Sequence, residues 1–214
     1  MSGYVPAQPV PRRRRVGPAA VSGMAGAVLF VAAFTAQGWM DPGYSWTGMF
    51  VSELSLGPRG WVQILNFLLT GALMLIFGRG LGTHFSTGPA SLAGPLVVQC
   101  MGSCLMASGP FTTDPSSLSG QPTTHGLLHG IFGALFFTLA PVCCFVFHRR
   151  FRGEPAWRPL AGWTLTAGVL LSLGIVMLKI SQQPGTGLFA IMAWIFAVAF
   201  RLRTSSAHHG GGGT

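Results

Sequence analysis

Charged side chains are scarce in this sequence. Aspartate and glutamate together number four among 214 residues, and only 8% of the residues are charged, whereas 50% are hydrophobic. An ordinary soluble domain carries about 25% charged residues. The shortage of charge excludes such a domain and indicates an integral membrane protein. Lysine is the rarest of the charged residues, since the sequence has one lysine, Lys179, and twelve arginines. This bias is typical of a GC-rich bacterial genome and predicts a location in a bacterial plasma membrane.

Six apolar segments can cross a membrane as helices. Crossing the ~30 Å hydrocarbon layer takes about 20 mostly apolar residues, and a helix satisfies its own backbone hydrogen bonds there. The first four segments contain no Asp, Glu, Lys or Arg. The last is the shortest and ends before Arg201, whose side chain we expect to reach the membrane surface. We predict an all-α polytopic membrane protein with six transmembrane helices, over residues 21–40, 61–78, 92–111, 127–147, 160–180 and 187–200.

The basic residues predict the orientation of these helices. Short loops that carry Lys and Arg stay on the cytoplasmic side of a membrane. Eleven of the thirteen basic residues fall on one side of the predicted topology, and only Arg59 and Lys179 fall on the other. Both termini are therefore predicted to be cytoplasmic, and the loops over 41–60, 112–126 and 181–186 are predicted to face outward.

The two ends of the chain differ in composition from the region between them. Residues 1–17 are rich in proline and arginine, and residues 204–214 are rich in glycine. Both ends are predicted to be disordered, flanking a transmembrane domain over 18–203. The basic clusters all lie at helix ends, where topology requires them. We therefore predict no nucleic-acid partner, and the lipid bilayer is the expected environment.

The few acidic residues are concentrated in the loops predicted to face outward. Asp41, Glu53 and Asp114 are three of the four in the chain. His125 and His129 begin the fourth apolar segment, and residues four apart on a helix share one face, about 6 Å apart between β-carbons. We expect these side chains to gather into an outward-facing polar site, together with Ser45, Ser52, Ser55 and Arg59.

One interpretation of this cluster is a metal site. Two histidines and a carboxylate are the protein ligands of many catalytic zinc ions. His125, His129 and Asp114 would then hold zinc, with Glu53 as general base for the bound water and Ser45 as a second catalytic candidate. The protein would be a metal-dependent membrane hydrolase that acts on a lipid or another amphipathic substrate.

Two other interpretations need no metal. In the first, the polar residues fasten the outer loops to the helix ends of a non-catalytic protein that binds a lipid or a partner. This role suits Ser52, Ser55 and Arg59 in particular. In the second, the six helices enclose the path of a small-molecule transporter. No charged residue lies near the middle of any predicted helix, which argues against an ion or proton relay.

Three blocks of sequence resemble a known family. They are YSWTGMFVSELSLGPRGWVQILNF at 44–67, GPFTTDPSS after the third segment and THGLLHGIFGALFF at the start of the fourth. They are similar to the bacterial and archaeal membrane family called domain of unknown function 998. The resemblance implies a membrane fold over residues 20–202 without implying an activity. The positions that correspond to its motifs are Ser45, Ser52, Glu53, Pro58, Asp114, His125 and His129.

Overall fold

The computed structural model describes residues 16–181 and 186–208. Six α-helices and one short 3-10 helix form within these residues. The 3-10 helix, Val51–Ser55, lies between the first two α-helices. In chain order the α-helices are α1 (Gly17–Met40), α2 (Gly60–His84), α3 (Ala93–Ser108), α4 (Thr124–Gly153), α5 (Arg158–Ser181) and α6 (Thr186–His208).

The predicted all-helical class is confirmed. Five helices, α1, α2, α4, α5 and α6, are long and apolar enough to cross a membrane. The third differs from its prediction, because α3 has only 16 residues and rises about 24 Å. It ends before Pro110, which has no backbone N–H to continue the helical hydrogen bonds. The predicted segment over 92–111 is therefore shorter as a helix.

The last helix is longer than the sequence indicated. We expected it to end at Phe200, but α6 continues to His208. Arg201 lies within this helix, and its guanidinium donates a hydrogen bond from Nε to the carbonyl of Ala156 at 2.9 Å. Residues 204–208, which we expected in the disordered tail, are helical. Residues 1–15 and 209–214, also expected to be disordered, lie outside the described residues.

The helices form a closed ring in chain order. Each α-helix packs against its neighbours in sequence, and α6 packs against α1. The helices α2 and α3 approach each other closely, because a β-carbon on Gly71 would lie 2.5 Å from the carbonyl oxygen of Gly102. Small residues allow helix backbones in membranes to come this close. The ring has two ends, which we call the loop end (residues 41–59 and 109–123) and the basic end (residues 85–92 and 154–157).

Aromatic side chains fill the basic end of the ring. Phe85, Phe147, Phe151 and Trp157 are all buried, and the rings of Phe151 and Trp157 stack with centroids 4.9 Å apart. Arg150 lies over the Phe85 ring at 4.7 Å, a favourable cation–π geometry. The interior is therefore closed at this end.

Candidate functional site at the loop end

Glu53 joins the two loops that cover the loop end. The 3-10 helix holds its carboxylate in a buried position. Oε1 accepts a hydrogen bond from the backbone N–H of Phe50 at 2.8 Å. Oε2 accepts two more from Ser116, from the backbone N–H at 2.9 Å and from the hydroxyl at 3.1 Å. Both carboxylate oxygens thus accept hydrogen bonds, and those from Ser116 bridge 63 positions of sequence.

Tyr44 packs beside this carboxylate. Its ring is buried and meets the Trp46 ring edge-on, with centroids 5.1 Å apart. Burial raises the pKa of Tyr44 from 10.0 to about 12, and the negative charge of Glu53 adds to that rise. Both causes disfavour the tyrosinate form, so Tyr44 stays neutral well above physiological pH.

Asp114 organises the start of α4. Its Oδ2 accepts from the backbone N–H of Thr123 at 2.8 Å, and its Oδ1 accepts from the Thr123 hydroxyl at 2.7 Å. Thr123 caps α4, because its oxygen accepts from the N–H of Gly126 at 3.0 Å. A β-carbon on Gly126 would lie 2.0 Å from Oδ2 of Asp114. Glycine is therefore required where the carboxylate approaches the positive end of the helix dipole.

The two histidines have different surroundings. His129 is buried, and its Nδ1 lies 2.7 Å from the carbonyl oxygen of Phe111 and 3.1 Å from that of Ser108. It ties α4 to the end of α3. His125 is exposed and meets the Phe111 ring edge-on, with ring centroids 5.7 Å apart. Both histidines therefore contact Phe111, His129 through the backbone carbonyl and His125 through the ring.

The predicted zinc ligands do not form a metal-binding group. Within residues 16–181 and 186–208, no cluster of three or more His, Cys, Asp or Glu side chains is arranged to hold a metal ion. The carboxylate of Asp114 is hydrogen-bonded to Thr123, and the imidazole of His129 is hydrogen-bonded to carbonyls at the end of α3. The described residues therefore do not support the predicted metal site, and local capping and backbone partners use these groups.

The remaining candidates lie in the loop over 41–59. Ser45 is exposed, and its hydroxyl oxygen accepts from the N–H of Gly48 at 3.1 Å, as in an ordinary serine turn. The hydroxyl of Ser55 donates to the carbonyl of Ser52 at 2.7 Å. Arg59 donates to the carbonyl of Met40 at 2.5 Å. These contacts order the loop, and none of them supplies Ser45 with a general base.

Sequence reasoning missed two buried amides, one that supports the same loop and one that joins α2 to α1. Gln37 of α1 donates from Nε2 to the carbonyl of Leu54 at 2.7 Å and to that of Arg59 at 3.1 Å. Asn66 of α2 donates to the carbonyl of Phe30 at 3.1 Å. Their signal was an amide within an otherwise apolar helix, since such groups require buried partners.

A cavity of about 100 Å³ lies inside the ring, below the 3-10 helix. Its lining is mostly apolar, and the polar residues in it are Ser52, Ser108 and His129. The hydroxyl of Ser108 already donates to the carbonyl of Cys104 at 3.0 Å. All six α-helices and the 3-10 helix contribute to the lining, through residues that include Phe30, Val51, Phe67, Leu105, Phe136, Leu171 and Leu188.

A ring of apolar helices around an internal cavity defines a multi-pass integral membrane protein. The sequence belongs to the family described as "Protein of unknown function (DUF998)", whose sequence profile matches residues 24–201. The family resemblance of the three sequence blocks is thereby confirmed. Comparisons with curated proteins and with solved structures found no match.

Proposed function

We propose that this protein binds an amphipathic small molecule or lipid in the cavity at the loop end, without chemical conversion. The apolar part of the ligand occupies the space between the helices, and its polar part meets the few polar groups of the lining. The protein is thus a membrane binding protein whose covering loops are held by Glu53 and Asp114.

The cavity lining carries this proposal. Ligand sites are typically concave and mostly apolar, with a small number of placed polar groups. This lining has that composition. An engineered apolar cavity of about 150 Å³ is large enough to bind benzene, so about 100 Å³ suits a small apolar group or part of an acyl chain. Phe50 lines the cavity and is also 38% exposed, which suggests an entrance beside it.

The surrounding contacts favour binding over hydrolysis or transport. Both oxygens of Glu53 accept hydrogen bonds from Phe50 and Ser116 that join the loops, so the position of this carboxylate is explained without a catalytic role. Passage through the ring would require the aromatic cluster at the basic end to move, since Phe147, Phe151 and Trp157 are 0% or 1% exposed.

We also propose the membrane placement that the sequence predicted. All six helices, including the short α3, cross the plasma membrane, with both termini in the cytoplasm and the loop end outside. The distribution of basic residues supports this orientation. The transmembrane domain then comprises residues 18–203, and the cavity opens toward the outer face.

Photolabelling with a diazirine derivative of octanol tests ligand binding. The probe is activated by light in purified detergent-solubilised protein, and its adducts are mapped by mass spectrometry. We expect adducts on cavity-lining residues such as Phe136 and Leu171 that unlabelled 1-octanol prevents. Gly133→Leu should reduce them, because a β-carbon there has no atom within 4 Å and the residue lines the cavity.

Gly130→Leu is the matched control. Gly130 lies on the same helix, is exposed and also has no atom within 4 Å of an added β-carbon. Both substitutions raise helix propensity equally, but only Gly133→Leu projects into the cavity. Equal labelling of the cavity residues in both variants, or labelling confined to the lipid-facing surface, would refute ligand binding in the cavity.

A further inference from the structure

The hydrogen bonds of His129 determine which ring nitrogen carries its proton. Nδ1 lies within hydrogen-bond distance of two backbone carbonyl oxygens, those of Ser108 and Phe111. Carbonyl oxygens only accept hydrogen bonds, so Nδ1 must be the donor. In a neutral imidazole with a proton on Nδ1, Nε2 is an acceptor. The end of α3 therefore fixes the tautomer of a residue that lines the cavity.

The acceptor nitrogen of His129 has no partner within the described part of the chain. Its hydrogen bonds there involve Nδ1 alone. Nε2 is not one of the unpaired polar atoms that the protein encloses completely. Ser108 has already donated its hydroxyl hydrogen to Cys104, so its oxygen offers acceptor capacity as well. Two of the three polar residues in the lining, Ser108 and His129, thus have an atom that can accept a hydrogen bond from the ligand.

The lining also disfavours a charged ligand. Among the described residues that line the cavity, none is Asp, Glu, Lys or Arg. A carboxylate or phosphate would meet the lone pair of Nε2 without a cation to balance it. An ammonium group would have no carboxylate to pair with, and burying an unpaired charge is costly. The polar group that fits is neutral and donates a hydrogen bond.

We infer that the ligand presents a hydroxyl group that donates to Nε2 of His129, on an otherwise apolar chain. This inference rests on the proposed ligand-binding function and specifies its chemistry. A free long-chain alcohol and a membrane lipid with a free hydroxyl, such as a monoacylglycerol, both satisfy it. Ketones, ethers and esters of the same length lack the donor and leave Nε2 unpaired.

Competition against the photoactivatable octanol tests the requirement for a donor. The competitors are 1-octanol, its methyl ether and 1-monooleoylglycerol, at about pH 8, where an ordinary imidazole is neutral. We expect 1-octanol to compete about fivefold more strongly than the ether, the size of one net hydrogen bond. Stronger competition by the monoacylglycerol than by octanol would identify a lipid source, and the reverse would identify a free alcohol.

His129→Asn separates the acceptor role from the structural one. The asparagine amide can still donate to the carbonyls at the end of α3, but it offers no group at the position of Nε2. We expect the preference for octanol over its ether to fall about fivefold, to near unity, while thermal stability changes little. His125→Ala is the control, because this exposed residue should leave the preference unchanged.

The outcomes distinguish the two proposals. Cavity labelling that octanol and its ether suppress equally in the wild type would overturn the hydroxyl inference and leave ligand binding intact. A preference that persists in His129→Asn would assign the donor requirement to another group and also overturn the inference. Failure to label the cavity residues at all would instead refute the proposed function.

Discussion

At the residue scale, the acidic side chains of the loop end act as acceptors that join distant parts of the chain. Glu53 accepts hydrogen bonds from Phe50 and Ser116. Asp114 accepts hydrogen bonds from the backbone N–H and the hydroxyl of Thr123. A hydrogen bond to an ionised group contributes about 1.5–3 kcal/mol, more than a neutral one. Two carboxylates therefore suffice to order long loops in a protein that has few charges.

The titration of Tyr44 tests its burial beside Glu53. Tyr4→Phe leaves Tyr44 as the only tyrosine, so tyrosinate absorbance near 295 nm reports on it alone. Its pKa is raised from 10.0 to about 12 in the folded protein. The unfolded chain therefore loses this proton first, and the free energy of unfolding should fall as pH rises from 10.0 to about 12. Below this range Tyr44 contributes no pH dependence.

Glu53→Gln in the same background separates the two causes of this shift. Removal of the negative charge should lower the pKa of Tyr44 partway, since burial is the larger cause and Glu53 the smaller. Asp41→Asn is the control, because its carboxylate accepts from Gly43 within an exposed turn. Ionisation of folded Tyr44 near its ordinary pKa would contradict the packing described for the loop end.

The sequence identified several of these residues but not their roles. Scarcity of acids drew attention to Glu53 and Asp114, and both are engaged at the loop end. Their partners could not be predicted, because Ser116 and Thr123 are ordinary loop residues until the chain is folded. The metal interpretation finds no support among the described residues for the same reason, since the spacing of His125 and His129 predicts a shared face and says nothing about neighbouring carbonyls.

At the scale of helices, the contact between α2 and α3 depends on paired glycines. A β-carbon on Gly102 would lie 2.8 Å from the carbonyl oxygen of Gly71, and the reverse distance is 2.5 Å. Each glycine therefore accommodates the backbone of the other helix. Such proximity maximises van der Waals packing, which drives helix association where lipid is as apolar as the protein interior.

The variant Gly71→Ala tests this packing, and Gly82→Ala is its matched control. The first places a β-carbon against the backbone of α3, so the helices must separate and we expect a loss of about 1–3 kcal/mol. At Gly82 the nearest atom to an added β-carbon is Pro95 Cβ at 3.4 Å, an ordinary contact. That variant should be neutral or slightly stabilised, because alanine favours helix over glycine by about 1 kcal/mol. Unfolding in detergent mixtures measures both, and equal effects would contradict the glycine contact.

At the scale of the whole molecule, the ring closes one end of its interior and leaves a cavity near the other. The aromatic cluster fills the basic end, while the loops held by Glu53 and Asp114 cover the cavity. The orientation of the ring decides from which side a ligand arrives. We predict this orientation from the distribution of basic residues, and it can be measured independently of binding.

Reporter fusions test the orientation. A reporter joined after Arg203 should be active only in the cytoplasm, and one inserted at Gly120, in the exposed loop before α4, should be active only outside. The reason is the excess of basic residues on the side of the termini, eleven against two. Activity of the Gly120 fusion in the cytoplasm would place the cavity on the inner face and reverse the proposed direction of access.

The membrane class, the approximate position of each helix and the family could all be predicted from the sequence. These are properties of consecutive residues, because crossing a bilayer requires an uninterrupted apolar segment. The internal face of each helix, the partners of the polar groups and the location of the cavity depend on how the helices pack together. In a membrane both the lipid and the protein interior are apolar. Hydrophobic periodicity therefore carries little information about which face of a helix points into the protein. Phe136 and Leu135 are adjacent and equally apolar, yet Phe136 is 2% exposed and lines the cavity whereas Leu135 is 47% exposed.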